Sequence, residues 1–95
     1  MRRSMETFDK IVSDIKDERI HQDDKWGSHR KINDFAWITV LMEEVGEVAQ
    51  AILKHEGDGA IYGELIQVAA VVVAWLECII EFGNYRQTNS DFKVG

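Results

Sequence analysis

Proline is absent from this 95-residue chain, and cysteine occurs once. Without proline, nothing in the sequence forces a helix to kink or stop early. The lone thiol, Cys78, cannot close an intrachain disulfide, which fits a reducing compartment and makes a cytoplasmic location the expectation. Basic residues are scarce, with 11 Lys+Arg against 17 Asp+Glu and a formal net charge of -6. That balance repels nucleic acid, anionic membrane surface and free nucleotide alike, so a polyphosphate ligand needs a bridging cation or a local basic patch. The longest apolar stretch, Leu65 to Ile80, is 16 residues and contains Gln67 and Glu77, short of the ~20 largely apolar residues of a membrane span. It reads as a core helix. Arg2 and Arg3 are followed by no apolar stretch, so no secretory signal is expected.

What the chain does have is hydrophobic residues, 45% of the total, at helical spacing. They predict one all-α domain over 1–95, with no repeats. A first helix over 4–24 carries Phe8, Ile11, Val12 and Ile15 on one face, with Ser4 as a cap. A polar linker, 25–33, leads to a second helix from 35 to about 55, capped by Asn33 or Asp34. Glu56-Gly57-Asp58-Gly59 ends it, and a turn that short makes the third helix, 60–82, its antiparallel neighbour. Gly83-Asn84 stops helix three, and the ends, 1–3 and 85–95, are expected to be loose. Helix three is apolar almost all round, and two partner helices leave part of it bare. A homodimer or homotetramer, packed as a helical bundle, is therefore expected.

The informative residues are acids on these apolar surfaces. At ~100° per residue, Glu44 falls inside the stripe of helix two that holds Trp37, Leu41, Val48 and Ile52, with Glu47 at its edge and Glu43 further round. On helix three, Glu64 shares a face with Val68, Val71, Trp75 and Phe82, and Gln67 lies at its margin. Facing carboxylates on apolar stripes raise each other's pKa and repel unless a cation lies between them. The only basic residue on either helix is Lys54. Oxygen ligands alone suit a hard cation, Mg²⁺ or Mn²⁺, rather than zinc.

The pattern Glu43-Glu44-Val45-Gly46-Glu47, then Glu64-Leu65-Ile66-Gln67, preceded by Trp26-Gly27, resembles the all-α nucleoside triphosphate pyrophosphohydrolases of the MazG type, over roughly 17–81. The resemblance implies hydrolysis between the α and β phosphates of a (deoxy)nucleoside triphosphate, giving the monophosphate and pyrophosphate in nucleotide-pool housecleaning. It implies Mg²⁺ on Glu44, Glu47, Glu64 and the position of Gln67, with Glu43 near the metal to orient water. Gln67 departs from the family's Asp, which removes one negative charge from the site.

Other candidates are substrate-binding residues. Lys54 points near the direction of Glu47 and is a candidate for substrate phosphate. Lys25, Arg30 and Lys31 form the one basic cluster, Trp26 is a candidate stacking residue for a base, and His21 and Gln22 are candidates to read its edge. His29 and His55 lack ligand spacing and are expected at the surface. Tyr85 and Arg86 are candidates to reach a partner subunit's site. Two rivals stand beside the enzyme. One is a nucleotide- or metal-binding module without turnover because of Gln67; the other is a structural dimer whose acids are met by Arg19 and Arg86 of another copy.

Overall fold

A computed structural model describes residues 4–88, and within them the chain is all-helical: α1 Glu6–Trp26, α2 Asp34–Leu53, α3 Asp58–Phe82 and a single turn, α4 Tyr85–Thr88. The three long helices follow the expected boundaries to within two residues. Helix α3 starts two residues before expectation, on Gly57, whose φ of 96° is a left-handed conformation open to glycine. Instead of a loose segment from 85 onward, Tyr85–Thr88 form α4; the expected loose ends 1–3 and 89–95 lie outside the described residues.

Caps come from the residues that sequence favours at these points. Asn33 accepts a hydrogen bond from the Ala36 N–H at 3.0 Å and starts α2. Ser4 accepts from the Glu6 N–H at 3.3 Å, one residue outside the Met5 cap position.

Helix α3 is the centre of the fold, packed along α2 on one side and α1 on another. The Trp75 Nε1–H donates to Asp34 at the start of α2 at 2.9 Å, which sets α2 and α3 antiparallel. Helix α1 runs in the sense of α3, with Tyr62 donating to Asp14 at 2.6 Å and Arg19 to Glu77 at 2.7 Å. Trp37, Val71 and Cys78 form the buried centre, with Ile32, Val40, Leu41, Ala74, Trp75 and Phe82 around it. Phe8, expected on the inner face of helix one, is instead exposed.

Asp34 joins the ends of three helices. It receives Trp75, and Arg86 donates to both of its oxygens at 2.9 and 3.0 Å. The Arg86 guanidinium, followed by the Trp75 N–H, holds the Asp34 carboxyl below the usual carboxylate range. Arg86 also donates to the Gly83 carbonyl, so its guanidinium closes the C-terminus of α3.

The core is small for a chain that is 45% hydrophobic, and Leu65, Leu76, Ile79 and Ile80 on α3 are exposed. The radius of gyration is 15.3 Å, against the ~12 Å of a compact domain of this length. Trp37→Ala removes the largest buried side chain and is expected to cost about 3–5 kcal/mol, read as a fall in the midpoint of thermal or urea unfolding.

Candidate metal centre

Three carboxylates meet where α2 crosses α3. Glu44, Glu47 and Glu64 each bring an oxygen to within 4.8 Å of the others. The i, i+3 spacing sets Glu44 and Glu47 on adjoining turns of α2, and the Glu56-Gly57 turn brings the first part of α3 back alongside. Glu44 and Glu64 are half-buried and Glu47 is exposed, matching the centre and edge positions read from the helical stripes. One oxygen of Glu44 and one of Glu64 are sealed from solvent with no hydrogen-bond donor among the described residues.

This arrangement is costly for anions. Removal from water, then the charges of Glu47 and Glu64, push Glu44 up to about 7. Glu64 is likewise raised, first by dehydration and then by Glu47. Glu18 on α1 and Glu56 in the turn add to the same negative field. Sequence reasoning missed Glu18, though a signal exists: Ile11, Ile15, Glu18 and Gln22 recur at i, i+4, i+7 and i+11, and Gln22 is buried. The donor set fits a hard divalent cation, because it is all oxygen, negatively charged and holds two buried oxygens with no other partner.

The remaining sequence candidates divide. Gln67 is half-buried on α3, one turn past Glu64, and Glu43 is exposed on α2. Lys54 is exposed at the C-terminal cap of α2. Trp26 is already engaged: Lys25 Nζ lies 4.8 Å and the Arg30 guanidinium 5.8 Å from its ring centre. Arg30 also lies 5.5 Å from the Trp37 ring. His29 and His55 are exposed with positive φ, 54° and 55°. His29 is not free, since Nδ1 meets Glu81 at 2.7 Å and that carboxylate raises its pKa.

Arg19 and Arg86, the arginines named as partners for the acids in the structural reading, are engaged elsewhere within this chain. Arg19 pairs with Glu77 at 2.7 Å and Asp23 at 3.1 Å, and Arg86 pairs with Asp34 at 2.9 Å. A cleft between the three long helices, walled by Gln22, Trp26, Arg30, Trp37, Val71 and Glu77 among others, has about 560 Å³ of space including its open mouth, and none of the three acids lines it. Its α2 wall ends at Val40, one turn before Glu44, or ~6 Å along the helix axis. No family model, curated protein or solved structure matches the chain, so the site is read from its own residues.

A pH dependence follows. The unfolded chain gives up the Glu44 proton near the ordinary 4.5, while the folded chain keeps it to about 7. Between those values the folded state binds more protons, so metal-free protein loses stability as pH rises from 4.5 to about 7. Melting curves in chelator should show this fall. Glu44→Gln should flatten it, and Mg²⁺ added above pH 7 should raise the melting temperature of the wild type more than that of the variant.

Proposed function

We propose that the chain is a Mg²⁺-dependent nucleoside triphosphate pyrophosphohydrolase of the MazG-like kind, acting as a homo-oligomer in the cytoplasm. The observation that carries this reading is the trio Glu44, Glu47 and Glu64, with oxygens within 4.8 Å and two of them sealed without a donor.

Glu44, Glu47 and Glu64 would hold the cation, with the Gln67 amide oxygen as a fourth, neutral donor. When bound, the cation supplies charge neutralisation to the phosphate oxygens and to the pyrophosphate leaving group. Glu43, exposed on α2 immediately before Glu44, accepts a hydrogen bond from the attacking water and orients it. No side chain acts as a nucleophile, which suits a site built of carboxylates. Lys54 and the Lys25–Arg30 pair supply the positive charge that a protein of net charge -6 otherwise lacks for a triphosphate.

The cleft, whose α2 wall ends one turn before Glu44, takes the nucleoside. Gln22 and Glu77 offer hydrogen-bonding groups on its wall, and Trp37 has an indole N–H with no partner among the described residues. A base that stacks on Trp26 competes with Lys25 and Arg30 for the ring. This makes Trp26 a competitive site rather than an open platform.

The test is pyrophosphate release from a panel of NTPs and dNTPs with Mg²⁺ or Mn²⁺. Wild type should release pyrophosphate from at least one, and Glu47→Ala should lower the rate by ~100-fold or more, equivalent to ~3 kcal/mol of lost transition-state stabilisation. Gln67→Asp restores the fourth charge and should tighten metal binding. Should it create release where wild type shows none, the natural chain is a binding module. No release from either protein with any nucleotide overturns the enzymatic reading.

A further inference from the structure

The linker between α1 and α2 is part of the cleft. Ser28, His29 and Arg30 line it together with Glu77, Cys78 and Glu81 of α3, and the exposed pair His29 and Glu81 mark its outer rim. Gly27, with φ of 89°, turns the chain out of α1, and Asn33 fixes the other end as the cap of α2. Just before that cap, the Ile32 carbonyl accepts from the Cys78 thiol at 3.6 Å. Midway, His29 Nδ1 meets the Glu81 carboxylate at 2.7 Å. His29 holds this contact in a left-handed conformation, φ 54°, which strains a residue that has a side chain. The contact to Glu81 offsets that strain.

The contact depends on a proton. A charged imidazole donates from Nδ1 in a charge-assisted bond. A neutral ring keeps one N–H, so the bond either loses its charge or, with the proton on Nε2, sets two lone pairs against each other. The surroundings favour the charged ring: Glu81 first, then Asp23 of α1 and Glu77, raise its pKa above the ordinary 6.5. The cations near the rim are held by other groups. Arg19 pairs with Glu77 and Asp23, Arg30 and Lys25 lie over indole rings, and Lys31 lies 5.6 Å from the Phe82 ring. From α2 the wall receives Trp37 and Val40, which do not titrate, and Arg86 of α4 is bound to Asp34.

We propose that His29 and Glu81 form a proton-operated latch, which holds the 27–33 linker across the cleft while His29 is charged and releases it when His29 is neutral. The bond stabilises the protonated ring, so the latch is fully set below pH 6.5 and is lost as pH rises through the higher value of the folded chain. Release frees His29 from its strained φ, and Arg30, on the same linker, moves with it. The latch acts on entry to the cleft whatever its occupant, and it stands independently of the nucleotide reading.

Cys78 supplies the test. It is the single cysteine, 2% exposed, lines the cleft and is bonded to the linker. Its alkylation by iodoacetamide, followed by mass spectrometry in chelator, therefore reads opening. Rates are expressed relative to wild type at the same pH, which cancels the ordinary rise in thiolate. His29→Ala should react about 2- to 5-fold faster than wild type near pH 6, the range expected of an exposed charge pair, and at the wild-type rate near pH 9. Removing a positive charge by itself disfavours the thiolate, so this acceleration cannot come from the reactivity of the sulfur. Glu81→Gln should give the same pattern. If His29→Ala loses helix by circular dichroism, His29→Gln takes its place. A histidine variant that matches wild type near pH 6, or an acceleration that persists unchanged to pH 9, overturns the latch. Pyrophosphate release is not read here, so failure of the enzymatic reading and failure of the latch are separate results.

Discussion

The repulsion among Glu44, Glu47 and Glu64 is the constraint around which the rest is arranged. A helix pair with an apolar contact gains nothing from carboxylates inside it, and two of these oxygens have lost water without gaining a donor. The antiparallel packing that gathers them is held at the far end of α2 by the Trp37, Val71 and Cys78 centre and by Asp34, which ties Trp75 and Arg86 together. One end of the α2–α3 pair thus stabilises what the middle of the pair opposes. Carboxylates perturbed by burial and by one another are the pattern on which the metal-site proposal rests.

Charge is sorted in the same way. Arg19 and Arg86, the two arginines in the ion pairs of the described residues, have side chains only 16% and 12% exposed, and each is committed to acids other than the trio. Had either reached Glu44 or Glu64, the cluster would be an ordinary buried salt bridge. Their engagement with Glu77, Asp23 and Asp34 weighs against a structural role met by these arginines among the described residues.

Much of this was legible in the residues. The helix boundaries followed from Asn33, Gly57 and Gly83, which act through caps and backbone conformation local to each position. The placement of Glu44 and Glu64 followed from periodicity, because helical angle is fixed by sequence separation alone. What periodicity cannot supply is the distance between helices or the relation of α1 to the other two. Glu18 therefore went unnoticed although it sits on the α1 stripe with Gln22, and His29 was placed at the surface without its partner Glu81, 52 positions away. Phe8 was misplaced for a related reason: it lies on the inward side of α1 by angle, but near an end where no other helix covers it.

Arg30 has a consequence of a different sort. Its guanidinium sits within 6 Å of two indole rings, Trp26 and Trp37, of the three tryptophans in the chain. The third, Trp75, donates to Asp34 at 2.9 Å and does not line the cleft. Any occupant of the cleft that moves Arg30 alters the surroundings of two indoles together and spares the third. The protein thus carries its own optical reporter of cleft occupancy, with an internal reference, and no label has to be introduced.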